Sequence, residues 1–455
     1  AVGYESFCNN TTGDFNTAVG CRAMLGNPST AGTGNNNTAL GHSALRVNTT
    51  GYKNIAVGAE ALEANTTGYA NVAVGHQALE ANTTTNNNTA IGFAAGKATT
   101  GADNTFIGSE AGEANTTGAY NVAVGKRSLE ANTTASYNTA LGTTSLYANT
   151  TGASNVAIGM EALKANTTGS NNVVIGYQAL DTSTDSDHCV VIGRKAGEDQ
   201  TTAHGNVLIG SEAGLNLTTA AENVLIGRNC GTSLGTDDFN AAVGNYAFSG
   251  SYGAGNSVLG YQSGADNTDV TYSVFLGYQA GKNLADGDDF RLFIARDDVN
   301  AGNAGCWIKG LDNGACYQGN NSSSWSTTSD RRLKKNIVDN NLGLGAINQL
   351  RVTNFEYRNR EEIDMSEFPT ANEPRKVVLG EGNEGVHTGV IAQEIEAIIP
   401  ECIEVSDHGV KTVNNDPITW ALVNAVKELS AQNDELRSLI KGSKSFASFK
   451  SSINN

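Results

Sequence analysis

The sequence predicts a mainly β fold, in which a parallel β-solenoid or β-roll of about 17-residue repeats precedes a small α+β domain ending in a coiled coil. Three observations support this prediction. The 455 residues include 53 glycines but only 5 prolines, unlike collagen, where both are abundant. Apolar residues other than glycine make up only 39% of the chain, so one globular core of this length is not expected. A short apolar alternation closed by glycine also recurs along most of the chain, as in repeat architectures.

The repeat is anchored by segments such as NTAVG, NVAIG and NVLIG, each of which predicts one short strand. Of the sixteen intervals between the closing glycines, thirteen are 17 residues, two are 16 and one is 21. A unit of this length suits one solenoid coil and is too short for a helix pair or a propeller blade, so we predict a solenoid over residues 1–296. The closing glycines are Gly3, Gly20, Gly41, Gly58, Gly75, Gly92, Gly108, Gly125, Gly142, Gly159, Gly176, Gly193, Gly210, Gly227, Gly244, Gly260 and Gly277.

One unit shows how a coil is expected to be built. Val72 and Val74 point to one face of a strand and are predicted to fill the interior. Ala73 points to the other face, where a small side chain permits close approach of another chain. Leu79 supplies a second apolar contact, and the Asn-Thr-Thr-Gly segments are predicted turns. Such a core is thin, which favours a rod completed by partner chains.

Charge and missing motifs exclude several functions. There are 46 acidic and 29 basic residues, so nucleic acid is not an expected partner. No apolar run reaches the roughly 18 residues of a spanning helix, so membrane insertion is not expected. The seven cysteines and six histidines show no metal-ligand spacing. We therefore predict no metal site and no cofactor, and we interpret the cysteines as small apolar fillers.

The composition changes after the repeats. Residues 297–329 are rich in Gly, Asn and Ser and are predicted to connect the solenoid to a compact domain over residues 330–455. Within that domain, residues 342–358 predict a short helix followed by a strand. Residues 390–399 predict a helix that ends before Pro400, with one apolar face formed by Ile391, Ile395, Ile398 and Ile399.

The last predicted helix, at about residues 418–441, carries a heptad seam. Leucines recur at d positions and Val, Asn and Ile at a positions, and the asparagine would fix register and oligomeric state. About three heptads are too short for a stable isolated helix, so partner helices are expected, although the heptads leave their number open. The predicted trimerisation contacts are Leu422, Val426, Leu429, Asn433, Leu436 and Ile440.

Two motifs precede this helix. Residues 329–337 read SDRRLKKNI, and residues 387–400 read HTGVIAQEIEAIIP. In this order, before a terminal coiled coil, they resemble the C-terminal intramolecular chaperone domain of phage endosialidase tailspikes and related tail fibres. The resemblance implies a domain that trimerises the chain, assists folding of the fibre and then cuts itself off.

The same resemblance implies a cleavage site between Ser329 and Asp330, with Ser329 as nucleophile and Lys334 as its basic partner. The pair is chemically reasonable, because a serine hydroxyl needs a base and a lysine serves where burial favours its neutral amine. The implied activity is that of a serine endopeptidase acting once, in cis. Without the resemblance, Ser329-Asp330 before a basic run would be interpreted as a helix N-cap with a solvated face.

The repeats resemble the heads of trimeric adhesins, which have NxVAIG-type units and left-handed parallel β-rolls. This resemblance covers about 295 residues and implies a homotrimer. It departs from the family in its longer repeat, and its C-terminus lacks the alternating apolar and aromatic strands of a membrane anchor.

Together these features favour a structural, host-binding tail fibre of a virion, a homotrimer whose receptor is a cell-surface glycan or protein. Two alternatives stay open. One is a tailspike enzyme that depolymerises polysaccharide, and the other is a cellular adhesin, an extracellular surface appendage with the same chaperone. Clustered acidic and aromatic side chains in one groove would favour the enzyme, whereas the uniform repeats favour the fibre.

Overall fold

The structure is a computed structural model, and its chain divides into two compact units, Ala1–Trp325 and Ser326–Asn455. The residues it describes are 1–29, 32–250, 253–267, 269–282, 290–295, 306–310, 316–318, 331, 334–358, 360–368, 385–406, 409–442, 445, 446 and 450. A helix long and apolar enough to cross a bilayer does not occur in these ranges.

The first unit is a parallel β-solenoid, which confirms the predicted fold class. Each strand from β1 to β16 pairs in parallel with the next strand along the chain, and equivalent residues stay in register, as Ala73 does with Ala90. The strands are β1 (Thr17–Val19), β2 (Thr38–Leu40), β3 (Ile55–Val57), β4 (Val72–Val74), β5 (Thr89–Ile91), β6 (Thr105–Ile107), β7 (Val122–Val124), β8 (Thr139–Leu141), β9 (Val156–Ile158), β10 (Val173–Ile175), β11 (Val190–Ile192), β12 (Val207–Ile209), β13 (Val224–Ile226), β14 (Ala241–Val243), β15 (Ser257–Leu259), β16 (Val274–Leu276) and β17 (Leu292–Ala295).

The end of the parallel sheet is covered. Strand β18 (Cys306–Gly310) pairs antiparallel with β17, and β19 (Cys316–Gln318) pairs antiparallel with β18. The backbone donors and acceptors of the last parallel strand are therefore occupied, and β17 is not an open edge.

The interior of a rung is the reverse of the predicted one. In β4, Ala73 is fully buried, whereas Val72 and Val74 lie on the outward, partly exposed face. The prediction that the larger residues fill the interior was therefore wrong. The turns after the strand place Ala78 and Leu79 inside, and in a close-packed rung they leave room for little more than a methyl group at the strand centre.

Where Phe or Leu occupies the strand centre, the neighbouring turns contain glycine. Phe106 replaces the alanine in β6, and Gly96 and Gly112 stand in the turn column that elsewhere holds leucine. A Cβ atom on Gly112 would lie 2.4 Å from the Phe106 ring. Leu225 and Gly231 show the same exchange, with 2.6 Å between a Cβ on the glycine and Cδ1 of the leucine. Core volume is thus conserved across neighbouring rungs.

Each rung is tied to both of its neighbours through the turns that follow its strand. Gln77 and Leu79 have positive φ angles of 59° and 51°. The N–H of Gln77 donates to Ala59 O in the preceding rung (2.9 Å), and that of Leu79 donates to Ala95 O in the next (3.1 Å). Both residues adopt a strained left-handed conformation, which the backbone hydrogen bonds to the preceding and the next rung stabilise.

A column of buried asparagines precedes the strands. Asn138 donates its N–H to Oδ1 of Asn121 (3.0 Å), and its own Oδ1 accepts from the N–H of Asn155 (2.9 Å). Its Nδ2 donates to Gly152 O (2.9 Å). Each side chain thereby satisfies backbone groups that no strand partner reaches. The column comprises Asn37, Asn54, Asn71, Asn88, Asn104, Asn121, Asn138, Asn155, Asn172, Asn206, Asn223, Asn240 and Asn256.

A second asparagine column lies in the Asn-Thr-Thr turns. There Nδ2 of Asn149 donates to Oδ1 of Asn132 (3.0 Å) and to Gly152 O (2.9 Å). The sequence assigned these residues to turns, and the structure adds that their side chains are buried parts of the core.

The second unit is a small α+β domain, as predicted. Strand β20 (Thr353–Phe355) pairs antiparallel with β21 (His387–Gly389), and β22 (Ile403–Val405) pairs antiparallel with β23 (Lys411–Val413). The helices are α1 (Leu344–Ile347), α2 (Ala392–Glu396) and α3 (Asp416–Gly442), with single 3₁₀ turns at Arg360–Glu362, Met365–Glu367 and Pro400–Cys402.

Candidate functional site

The outward face of the solenoid sheet is an apolar stripe without charged residues. The third residue of every strand from β1 to β16 is Val, Ile or Leu, and the first is Val, Ile, Thr, Ala or Ser. At about 4.8 Å per strand the stripe is roughly 70 Å long. A contiguous apolar surface of this extent is typical of interaction sites. Third-position residues that are 36% to 51% exposed are Val19, Leu40, Ile91, Ile107, Leu141, Val243, Leu259 and Leu276.

The motif block 387–400 forms the centre of the second unit. It starts as β21, continues through α2 and reaches the 3₁₀ turn at Pro400. Ile395 and Ile399, two members of the predicted apolar face, are buried together with Cys402. The side chains around them include Leu342, Leu350, Val390, Ile398, Val413 and Ile418.

Two ion pairs hold the glutamates of this block. Arg351 donates from Nε to Glu394 (3.1 Å), and this hydrogen bond lowers the pKa of the Glu394 carboxyl below its ordinary value. Lys411, at the start of β23, pairs with Glu396. Both glutamates belong to the AQEIE segment, so these ion pairs link α2 to Arg351 and to β23.

One side of α3 is apolar and exposed. The helix begins two residues before the predicted one and ends one residue after it. Its predicted seam residues lie on this side, and Asn433 among them is exposed. Their exposure is 44% to 58% for Leu422, Val426, Leu429, Leu436 and Ile440.

The other flank of α3 contacts its own chain, which the sequence did not indicate. Ala421 and Ala425 are buried, and α3 packs against α1 on this flank. Asn424 and Glu428 reach the residues that lead into α1. No periodic signal marks these two polar residues, because their partners lie 82 to 84 positions away in the chain.

The predicted cleavage site, Ser329 and Asp330, lies outside the described residues. Lys334 is described and exposed, and its backbone N–H donates to Arg331 O (3.2 Å). Because Ser329 lies outside the described residues, the predicted Ser329–Lys334 pair stays a prediction.

Three carboxylates converge on the side of the solenoid. Oxygen atoms of Glu60, Glu63 and Glu80 lie within 4.8 Å of one another. Two of these glutamates line a groove of about 740 Å³, together with Arg46 and Lys97. Arg46 Nε is 2.6 Å from Glu63, and Lys97 Nζ is 3.6 Å from Glu80. Glu63 and Glu80 are thus each paired with a cation from a neighbouring rung. Glu60 accepts a hydrogen bond from Nε2 of Gln77 (2.9 Å). These partners give no support to a carboxylate pair for glycan hydrolysis.

The cysteines divide into two classes, so the prediction that they are apolar fillers was wrong for Cys8, Cys21 and Cys316, which are exposed. Cys189 and Cys230 are buried, and burial raises the pKa of the Cys230 thiol to about 12.

Because the thiolate is the reactive form, we expect iodoacetamide at pH 8 to label the three exposed cysteines in the native protein and to spare the buried pair. Mass spectrometry of tryptic peptides checks this. Labelling in urea is the control, and rapid native labelling of Cys230 would contradict the burial.

Residues 329–404 match the Peptidase_S74 family model, described as Chaperone of endosialidase. The match begins at Ser329 and contains both sequence motifs, whereas α3 lies beyond it. Neither a curated protein nor a solved structure matches the chain significantly. The second unit of this chain therefore contains a domain of the chaperone-of-endosialidase type.

Proposed function

We propose that this chain is one subunit of a homotrimeric viral tail fibre on the virion. Its C-terminal domain drives assembly and folding of the solenoid and then releases itself by cutting between Ser329 and Asp330. The observation that carries the proposal is a chaperone-of-endosialidase domain that follows a long parallel solenoid in the sequence of one chain. The fibre binds a host cell-surface glycan or protein, and nucleic acid and membrane insertion play no part.

Two exposed apolar surfaces support assembly from copies of this chain. The heptad side of α3 has no partner helix among the described residues of its own chain, and an isolated seam of this kind exposes leucine to water. The stripe on the solenoid repeats its Val, Ile and Leu at the strand spacing. A second and third copy offer the same spacing, so three stripes can interdigitate rung by rung around one axis.

This arrangement replaces the earlier expectation that the alanine face contacts the partner chains. The alanines already fill each chain's own interior. The branched residues of the outward face supply the larger area, and burying that area provides the driving force for association.

The proposed cleavage is a hydrolysis of one peptide bond. The neutral amine of Lys334 takes the proton of the Ser329 hydroxyl, and the Ser329 oxygen bonds to the carbonyl carbon of the Ser329–Asp330 peptide bond. The C–N bond breaks, and the Asp330 nitrogen leaves with the proton that Lys334 had taken. Water then hydrolyses the acyl ester, which restores the Ser329 hydroxyl and leaves a carboxylate on Ser329 and an ammonium group on Asp330.

Denaturing electrophoresis of the recombinant chain tests the proposal. We expect fragments 1–329 and 330–455 from the wild type, and one uncut band from Ser329→Ala and from Lys334→Ala, because each lacks one member of the pair. Lys335→Ala removes the adjacent lysine and is the matched control that should still be cut. Sedimentation of the uncut Ser329→Ala chain should give a trimer. An uncut wild type or a monomeric Ser329→Ala chain would refute the corresponding half of the proposal.

A further inference from the structure

The chain that leads away from the proposed cleavage site is fastened to the flank of α3. Asn424 donates from Nδ2 to the carbonyl oxygens of Asn340 (3.0 Å) and Leu342 (2.9 Å). One helical turn further along, Oε2 of Glu428 accepts a hydrogen bond from the N–H of Leu344 (2.9 Å). Two side chains of one helix thus hold three backbone positions of this segment.

Small residues make this close approach possible. Ala421 and Ala425 are buried on the α3 flank. A Cβ atom on Gly343 would lie 2.0 Å from Oε1 of Glu428, so a side chain at this position would displace the Glu428 carboxylate. Helix α1 has four residues, too few to be stable alone, so its start depends on α3.

The contacts lie on a different face of α3 from the heptad seam. With leucines at d, Asn424 occupies an f position and Glu428 a c position, both of which point outward in a coiled coil. One helix can therefore hold partner helices with its seam and its own chain with its outward face. Lys334 precedes Asn340 by six residues, which span at most about 20 Å. An anchored Asn340 keeps the proposed base close to the assembled helices.

We propose that Asn424 and Glu428 are positioning residues for self-cleavage, an inference that rests on the proposed function. They hold residues 340–344 on the outward face of α3, so that the cleavage site forms efficiently only beside the assembled helices. In the reaction, the Ser329 oxygen bonds to the scissile carbonyl carbon, the bond to the Asp330 nitrogen breaks as that nitrogen takes the proton from Lys334, and water then hydrolyses the acyl ester. Neither positioning residue takes part in these bond changes.

Cleavage of the full chain during cell-free synthesis, followed by electrophoresis over time, tests this role. Asn424→Asp has nearly the same shape but places an acceptor against two carbonyl oxygens, and we expect cleavage to slow about tenfold, as for the loss of one or two hydrogen bonds. Glu428→Ala should also slow it. Glu428→Gln should restore it, because the amide oxygen still accepts from Leu344. Glu435→Gln, an exposed c position one heptad later, is the matched control and should cleave normally.

Assembly is measured separately, by sedimentation of the same variants combined with Ser329→Ala, and we expect trimers throughout. Normal cleavage by assembled Asn424→Asp and Glu428→Ala chains would overturn the positioning role and leave the proposed function intact. Equal slowing by Glu428→Ala and Glu428→Gln would also overturn it. If Asn424→Asp fails to assemble, the two Glu428 variants decide. A wild-type chain that is never cut refutes self-cleavage itself.

Discussion

Replacing Gly125 by alanine is expected to lower the free energy of unfolding by about 3 kcal/mol or more, since strain of this kind alone costs about 1–3 kcal/mol. Gly125 has a φ angle of +136°, and a Cβ atom there would lie 2.5 Å from Gly142 O in the next rung. The N–H of Gly125 is bonded to Ile107 O in the preceding rung (2.8 Å). The backbone is held on both sides, so it cannot move away from the clash.

Urea unfolding followed by circular dichroism measures this loss, and amide hydrogen exchange should locate it in the rungs around Gly125. Gly235→Ala is the matched control. Gly235 has a φ angle of +56°, and a Cβ atom there meets nothing within 4 Å. We expect this control to lose only about 1 kcal/mol, the cost of a left-handed alanine. Equal losses in the two variants would contradict the explanation that the close approach of the next rung requires glycine at position 125.

Removing one buried asparagine of the first column is the second large expected effect. Asn138→Ala leaves the N–H of Asn155 without its side-chain acceptor (2.9 Å) and removes one of the two side-chain donors to the Gly152 carbonyl, which keeps the hydrogen bond from Asn149. An unsatisfied buried polar group costs about 1–3 kcal/mol and a lost hydrogen bond about 1 kcal/mol, so we expect a total loss of about 2–4 kcal/mol. Urea unfolding measures the loss. The control is Asn216→Ala, at an exposed site outside the columns and without a left-handed φ, which should lose under about 1 kcal/mol.

Asn138→Asp tests the same contacts through pH. The introduced carboxyl can accept from the N–H of Asn155, but its charged form faces the carbonyl oxygen of Gly152, so folding should raise its pKa above the unfolded value of about 3.9. Stability should therefore be close to that of the wild type below about pH 4 and should fall as the pH rises toward 7. A pH-independent difference from the wild type would contradict the proposed donor role of Asn138.

The repeat shows which part of this fold is readable from local sequence. The spacing of the closing glycines predicted the parallel strands, because register follows directly from a constant repeat length. The alternation in Val72-Ala73-Val74 revealed two faces but did not say which one is inside. The same alternation is satisfied when the strand is turned over so that its other face points inward. Only the turn residues that fold back beside Ala73 decide the question, and they leave it no more than a methyl group.

The candidate site divides in the same way. Ser329 and Lys334 were predicted from a short motif at the point where the family match begins. Asn424 and Glu428 were not, because a polar residue on the outer side of a heptad helix reads as solvated surface. Their partners become visible only when residues far apart in the chain are brought together.

By itself, the sequence determined the number and length of the solenoid rungs and the heptad spacing of the last helix. These features follow from local periodicity and composition, which can be recognised without knowing the tertiary contacts. The tertiary structure decided that alanine rather than valine lines the interior, that asparagine columns satisfy the buried backbone, and that α3 holds the segment behind the proposed cleavage site. The first depends on turn residues that fold back onto the strand. The other two depend on contacts between residues 14 to 84 positions apart, which no local pattern encodes.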